Sequence, residues 1–192
     1  MSAIKERRER ERAQRHQLII TAARELAEAE GWEAVTTRRL AERVEYSQPV
    51  LYSHFSGKDA IVRAVSIDGF GELAAHLGRA RSATPEPGQA LHAVCRAYLK
   101  FATERPALYQ AMFVMPTDVK FAHAETPPQL RAAFDEFVSC FRPDNARREL
   151  FAEVVWSALH GVAVLSDSGR IPPDTQDERL DFLIARLADT PS

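Results

Sequence analysis

The stretch TTRRLAERVEYSQPVLYSHFSGK, from Thr36 to Lys58, encodes two short helices separated by a turn of about four residues. Thr36 or Thr37 can cap the first helix and Ser47 can cap the second, because short hydroxyl side chains satisfy free backbone N–H groups. Five apolar side chains are spaced so that they can meet behind the pair: Leu40, Val44, Val50, Leu51 and Phe55. Two helices packed in this way form a helix-turn-helix.

The second of these helices is too short and too polar to be an ordinary core helix. Val50 or Leu51 is expected to turn inward together with Phe55. The outward face then presents short or planar groups: Gln48, Pro49, Tyr52, Ser53 and His54. Such groups can reach base edges or phosphate oxygens, so this helix is a candidate for recognition of DNA.

Positive charge is concentrated near the same stretch, although the whole chain is almost neutral. The 192 residues contain 25 Lys+Arg and 27 Asp+Glu, a net charge of -2. Residues 1–63 contain 12 basic and 10 acidic side chains, a net charge of +2, whereas residues 64–192 contain 13 and 17, a net charge of -4. This mild basic bias is weak support for a polyanionic partner of the N-terminal part.

Features of membrane, secreted and metal-binding proteins are not found in the sequence. No run of about 18 apolar residues is present, and the N-terminus lacks the apolar region of a signal peptide. We therefore expect a cytoplasmic protein without a membrane partner. Cys95 and Cys140 lie in different apolar segments without metal-ligand spacing, so we expect buried reduced thiols, no bound metal and no cofactor.

Apolar residues recur at helical spacing almost everywhere, and the alternation typical of strands is missing. The sequence therefore predicts an all-α fold of about nine helices. We place a three-helix domain at residues 1–60, beginning with a flexible arm over residues 1–14, and a larger helical domain at residues 61–192. Glu6, Glu9 and Glu11 halve the positive charge of that arm.

The N-terminal part resembles the TetR family of bacterial transcriptional regulators, over residues 15–65. An alanine-rich helix ends in glycine plus an aromatic residue within Ala22 to Trp32, and the patterns T-x-x-x-L-A and S-x-x-x-L-Y-x-H-F-x-x-K follow. The matching positions are Thr36 or Thr37, Leu40, Ala41, Ser47, Leu51, Tyr52, His54, Phe55 and Lys58. The resemblance implies a repressor that binds a palindromic DNA operator as a homodimer and responds to a small-molecule effector.

The resemblance also implies a role for each residue of the helix-turn-helix. The residues expected to face bases are Arg38, Gln48, Pro49 and Val50, and those expected to hold phosphates are Thr37, Tyr52, His54 and Lys58. One position departs from the family pattern, because Glu45 occupies the turn where glycine is usual. Glycine adopts positive φ without strain, so Glu45 is expected either to strain the turn modestly or to change it slightly, and to bring a negative charge near the DNA.

The second domain is expected to bind the effector and to form the dimer through the last two helices. Trp156, His160 and Gly161 resemble a Trp-x-x-x-His-Gly signature seen in a subset of TetR-like C-terminal domains. The alternative is that this helix face is ordinary core, with the histidine hydrogen-bonded. Candidate pocket residues on the middle helices and on this helix are Tyr98, Phe101, Tyr109, Phe113, Phe137, Trp156 and His160.

Two other classes of protein were weighed against a regulator. An enzyme is disfavoured because no Gly-rich phosphate loop, nucleophile elbow, His-Glu zinc motif or paired cysteine ligands are found. An all-α interaction or ligand-binding protein whose helix-turn-helix does not bind DNA stays open. Glu45 and the diluted charge of the arm are the observations that favour it.

Overall fold

The computed structural model describes residues 3–84, 86–121 and 123–188, and the regular secondary structure within these ranges is entirely helical. The all-α prediction is confirmed. The nine α-helices are α1 (Ala3–Glu30), α2 (Thr37–Arg43), α3 (Gln48–Tyr52), α4 (Lys58–Ser82), α5 (Pro87–Glu104), α6 (Pro106–Phe113), α7 (Pro128–Val138), α8 (Arg148–Asp167) and α9 (Gln176–Ala188). Two short 3-10 helices cover Trp32–Ala34 and Pro173–Thr175.

The chain divides into two compact units. The first unit contains Met1–Gly69 and Ala107–Val119, and the second contains Phe70–Pro106 and Lys120–Ser192. The helix-turn-helix therefore shares a unit with most of α6, and α4 contributes residues to both units. The sequence places the domain boundary after residue 60, and the limit of the DNA-binding domain stays a prediction.

The first unit is built around the C-terminal half of α1. Its buried residues recur at helical spacing: Ile19, Ile20, Ala22, Ala23, Leu26 and Ala27. The helix ends at Gly31, which has a φ of 82° and donates its backbone N–H to the carbonyl oxygen of Ala27 at 2.8 Å. A φ of 82° with a ψ of 163° lies in a backbone region that is essentially restricted to glycine, which accounts for the glycine at this position.

The N-terminal half of α1 corrects one expectation. Residues 3–14, expected to form a flexible arm, continue the helix from Ala3. Acidic and basic residues four positions apart pair along this segment: Lys5 lies 3.9 Å from Glu9, and Arg7 lies 2.8 Å from Glu11. The alternating charges of this segment suit a solvated helix start as well as a loose arm, and pairs four residues apart stabilise the helix.

Side-chain hydrogen bonds join the start of α6 to α1 inside the first unit. The carboxylate of Glu28 accepts hydrogen bonds from the backbone N–H groups of Ala107 and Leu108, at 3.2 and 3.0 Å. These N–H groups lie in the first turn of α6, where they have no partner within the helix. The indole Nε1 of Trp32 donates to the carbonyl oxygen of Ala107 at 2.8 Å. The start of α6 is thus held by the end of α1 and the turn that follows it.

The second unit is organised around α5, which packs against α7, α8 and α9. Its buried side chains include Tyr98, Phe101, Phe137 and Leu159. Cys95 and Cys140 are buried free thiols, as the sequence predicts. Burial raises the pKa of Cys95 to about 12.

Helix α8 differs from the other helices because much of its apolar surface is uncovered within the chain. By length and composition alone it could span a membrane, but core helices of soluble proteins meet the same criterion. The helix does not contain an uninterrupted apolar run of the length needed to cross a membrane, because polar residues such as Glu153 interrupt it. Leu150, Val154 and Leu165 are all exposed on it.

Candidate nucleic-acid interface

The turn between α2 and α3 has the geometry of a helix C-terminal cap. The backbone N–H of Tyr46 donates to the carbonyl oxygen of Ala41 at 2.9 Å, and that of Glu45 donates to Glu42 at 3.3 Å. This pair of bonds is the Schellman motif, whose central residue adopts the left-handed conformation. Glu45 occupies that position with a φ of 57°. Glu45 therefore adopts the positive φ for which the usual glycine of this turn is suited.

The capping predictions for the two helices have different outcomes. Thr36 caps α2, because its side-chain oxygen accepts a hydrogen bond from the backbone N–H of Arg39 at 3.2 Å. Ser47 lies at the N-cap position of α3, but its side chain makes no capping hydrogen bond. Pro49 lies in the first turn of α3, where a missing N–H group does no harm.

The two faces of α3 are clearly distinguished. Leu51 is fully buried and Phe55, just after the helix, is nearly so. Val50 is half-buried, so Leu51 is the inward residue of the two alternatives. The outward side chains Gln48, Pro49 and Tyr52 are exposed. Their roles toward bases and phosphates stay predictions.

A polar contact joins α2 to α3 on the exposed side. The hydroxyl oxygens of Thr37 and Tyr52 lie 3.4 Å apart. The hydroxyl group of exposed Ser53 donates to the carbonyl oxygen of Val50 at 2.6 Å. The contact brings together two of the four residues expected to hold phosphates.

The three arginines of α2 are in different environments. Arg39 forms two hydrogen bonds to the carboxylate of Glu30, at 2.9 and 2.7 Å, and these bonds lower the pKa of that carboxyl group. Arg43 bonds Glu25 at 2.9 Å. Arg38 is exposed and lies 3.8 Å from Glu42. Arg38 is therefore the arginine of α2 with the weakest internal pairing, and its role toward DNA stays a prediction.

Two residues expected to hold phosphates have other contacts. The Lys58 ammonium group is partly buried and donates to the carbonyl oxygen of Trp32 at 2.6 Å. His54 is half-buried, and its buried Nδ1 has no hydrogen-bond partner among the described residues. Burial, reinforced by the positive charges of His16, Arg12 and Arg15, lowers the pKa of His54.

His16 is a residue of this region that the sequence analysis did not single out. Its ring stacks on Phe55 with centroids 4.3 Å apart and lies 6.3 Å from the ring of His54. Burial and the charge of Arg12 lower the pKa of His16. His16 and Phe55 are distant in the sequence. The one sequence signal that the His16 ring packs inside the unit is its position three residues before the apolar residue Ile19.

The candidate pocket residues fall into both units. Tyr109 and Phe113 belong to the first unit, with ring centroids 4.7 Å apart. In the second unit, the Trp156 indole N–H donates to the Tyr98 hydroxyl at 3.2 Å, and the Tyr98 ring meets Phe137 edge-on at 5.7 Å.

The two remaining candidates also lie in the second unit. Phe101 is buried, with its ring centroid 6.2 Å from that of His76. His160 is half-buried, and burial lowers its pKa. Within the described ranges, no group of three His, Cys, Asp or Glu side chains is placed to hold a metal ion.

An all-helical chain with a helix-turn-helix near its start has the architecture of a DNA-binding regulator, and comparison with known proteins agrees. The family described as "Bacterial regulatory proteins, tetR family" matches residues 19–65, and "Tetracyclin repressor-like, C-terminal domain" matches residues 91–187. The chain is 26% identical over 173 residues to the uncharacterized HTH-type transcriptional regulator Rv0681 of Mycobacterium tuberculosis, covering 88% of this chain and 78% of that protein.

Solved structures share the fold. A protein with unknown function from Rhodococcus sp. RHA1 aligns with a TM-score of 0.72 and 22% identity, covering 89% of this chain and 92% of that one. The TetR family transcriptional regulator PfmR from Thermus thermophilus aligns with a TM-score of 0.61 and 19% identity, covering 92% of this chain and 96% of that one.

The chain belongs to the TetR family of bacterial transcriptional regulators. It is a DNA-binding regulator, and members of this family are not enzymes. Family members bind DNA and typically form dimers. The family membership therefore favours DNA binding over the alternative of a helix-turn-helix without a nucleic-acid partner.

Proposed function

We propose that the protein is a cytoplasmic, ligand-responsive repressor that binds a palindromic operator as a homodimer. The observation that carries the proposal is the division of α3 into a buried face, centred on Leu51, and an exposed polar face. A helix anchored in this way can enter the major groove with its polar side toward the bases. Gln48 and Pro49 are exposed on that side.

The proposed roles separate base contacts from phosphate contacts. Arg38, Gln48, Pro49 and Val50 read bases, with Arg38 able to form a bidentate contact to guanine. Thr37 and Tyr52, joined at 3.4 Å, hold phosphates as a pair. Lys58 and His54 also face phosphates in this proposal, in addition to their contacts within the unit.

The proposed dimer uses α8 and α9 and a second copy of the chain. Leu150, Val154 and Leu165 lie on one stripe of α8 at helical spacing and are 55%, 48% and 39% exposed, and Phe182 of α9 is 63% exposed. Gly161 lies on the same stripe, and no atom of the described chain would lie within 4 Å of a Cβ there. A second copy could therefore approach closely at this point and form a four-helix interface.

The effector would bind in the second unit, among the aromatic side chains around Tyr98 and Trp156. Its binding would favour a spacing of the two recognition helices that no longer fits successive major grooves. Helix α4 would transmit the change, because it runs through both units without a break. A ligand with equal affinity for both states would have no effect.

The test begins with recovery of bound genomic DNA fragments by the purified chain at about 0.15 M salt, where non-specific binding is already weakened. A palindrome with half-sites about one helical turn apart is expected. Gln48→Ala and Arg38→Ala should then relax sequence preference, whereas Tyr52→Ala should weaken binding to every sequence alike.

One control variant separates two explanations of a loss of binding. Tyr52→Phe removes the hydroxyl contact with Thr37 but keeps the ring, so it separates the phosphate contact from packing. Equal effects of all these variants on every sequence would refute the assigned roles. Recovery of a monomer at all concentrations by light scattering would refute the α8 and α9 interface.

A further inference from the structure

The N-terminal half of α1 extends away from the buried part of the helix. Residues 3–15 are exposed except for half-buried Glu11, and the first buried residue is Ile19. This segment contains six basic residues (Lys5, Arg7, Arg8, Arg10, Arg12, Arg15) and three acidic ones (Glu6, Glu9, Glu11), a net charge of +3. Since the whole chain has a net charge of -2, the remainder carries -5. The extension is therefore the most basic part of the protein.

Three of its arginines form one stripe. Arg8, Arg12 and Arg15 follow each other at spacings of four and three, which places them on one face of the helix. All three are exposed, and none has an ion-pair partner within the described ranges. The neighbouring acid Glu11 is instead hydrogen-bonded to Arg7, on another face of the helix. The hydrogen bond from Arg7 lowers the pKa of Glu11, and the charges of Arg15 and Arg8 contribute to this shift. The stripe therefore interacts with this one acid but keeps a net positive charge, because it contains three arginines.

The stripe points to the side of the helix on which the helix-turn-helix packs. Ile19 continues the same spacing four residues after Arg15, and its side chain is fully buried in the first unit. His16, adjacent to Arg15, stacks on Phe55 and approaches His54 at the end of the recognition helix. The charges of Arg12 and Arg15 act on His54 strongly enough to contribute to its lowered pKa. The arginines are thus continuous with the proposed DNA-binding face.

We propose that the Arg8–Arg12–Arg15 stripe binds backbone phosphates of the DNA that flanks each operator half-site. The inference rests on DNA binding by the helix-turn-helix, and it adds a second contact region outside the residues of that motif. Arginine is suited to phosphate because its planar group can form two parallel hydrogen bonds. Arg8 lies seven residues before Arg15, so the stripe spans about 10 Å of helix, equivalent to about three base pairs.

The experiment compares two lengths of one DNA sequence. The probe is the palindrome recovered by the full chain from genomic fragments, prepared as a duplex of the two half-sites alone and as one with about six more base pairs at each end. The test variant is Arg8→Gln with Arg12→Gln. The control is Arg7→Gln with Arg10→Gln, which removes the same charge from the same part of the helix but from other faces.

The full chain should bind the longer duplex on the order of tenfold more tightly than the shorter one. The test variant should lose this advantage and reduce the slope of log affinity against log salt by about 1.8 on the longer duplex, because each phosphate contact contributes about 0.9. Its affinity for the shorter duplex should stay within about twofold of that of the unmodified chain, and the control should keep the advantage.

Three results would overturn the inference. The unmodified chain could bind both duplexes equally, both double variants could weaken binding alike, or the test variant could keep the full salt slope. Helicity measured by circular dichroism checks that the glutamines preserve α1. Gln48→Ala should weaken binding to both duplexes whether or not the stripe contributes. It therefore separates a failure of the proposal for the stripe from a failure of the proposal that the helix-turn-helix binds DNA.

Discussion

The ammonium group of Lys58 donates a hydrogen bond to the backbone carbonyl oxygen of Trp32, with Nζ and O 2.6 Å apart. The bond joins the first residue of α4 to the turn after α1, across 26 positions of sequence. Lys58 therefore has a contact inside the first unit besides the proposed contact with phosphate.

Lys58→Ala should lower the free energy of unfolding by about 1.5–3 kcal/mol, the usual contribution of a hydrogen bond from a charged donor. It should also weaken binding to all DNA sequences and flatten the salt dependence. Urea unfolding and DNA titration over a range of salt concentrations measure the two effects separately. An unchanged unfolding free energy would mean that the bond to Trp32 does not stabilise the unit.

Glu45 holds a left-handed backbone conformation that glycine adopts with less strain. The conformation costs a residue with a side chain roughly 1–2 kcal/mol, and part of this is offset because glycine loses more entropy on folding. Glu45→Gly should therefore raise the free energy of unfolding by roughly 0.5–1 kcal/mol.

Glu45→Gln is the matched control for charge, because it keeps the strain and removes the negative charge. Its unfolding free energy should stay within about 0.5 kcal/mol of the original. If charge near DNA matters, both variants should bind DNA more tightly. Destabilisation by the glycine variant in thermal unfolding would contradict the strain at this turn.

The helix-turn-helix could be predicted in detail because its signals are local. The N-cap Thr36, the left-handed turn at Glu45 and the inward apolar residues all lie within about 20 positions of each other. The sequence left Val50 and Leu51 as alternatives, since either could point inward in a helix of five residues. Packing against the rest of the unit selects Leu51.

Other features depend on contacts that spacing along the sequence does not reveal. Lys58 and His54 match a phosphate-binding pattern in the sequence. The bond from Lys58 to Trp32, and the approach of His54 to His16, form only when α1 folds against α3 and α4. The extension of α1 was missed for a different reason. Its alternating charges are compatible with a solvated helix start and with a loose arm, and the pairing four residues apart that favours the helix was not used to decide between them.

Gly69 and Gly71 lie in α4, where glycine lowers helix stability by about 1 kcal/mol relative to alanine. A Cβ at Gly69 would lie 2.7 Å from Met112 Sδ and 2.8 Å from Leu108 Cδ1, so α6 packs directly on this glycine. At Gly71 the nearest atom would be Cγ of Gln129 at 3.5 Å, an ordinary contact.

The two alanine variants should therefore have opposite effects on the free energy of unfolding. Gly71→Ala should stabilise the protein by up to about 1 kcal/mol, because it gains helix propensity without a clash. Gly69→Ala should destabilise it by about 1 kcal/mol, because the cost of overpacking, about 1–3 kcal/mol, exceeds that gain. Thermal unfolding of both variants decides the matter, and equal stabilisation would show that Met112 and Leu108 move aside without cost.

The neighbouring rings of His16 and His54 should make the stability of the first unit depend on pH. Burial and adjacent positive charges lower the pKa of both side chains below the ordinary value of 6.5. The unfolded chain therefore takes up protons first as the pH falls, and stability falls with it. The neutral forms are favoured in the folded state, so this loss begins near pH 6.5 and is complete below the folded-state pKa values.

His16→Phe and His54→Gln, which remove the titrating groups, should make the free energy of unfolding fall less steeply between about pH 7 and pH 5. Phenylalanine preserves the stacking on Phe55, so a reduced slope with unchanged stability at about pH 7.5 would assign the effect to protonation of His16. His123→Gln, at an exposed position outside this cluster, is the control. An unchanged slope in both cluster variants would show that protonation of this pair does not limit stability, leaving the other half-buried histidines to account for any pH dependence.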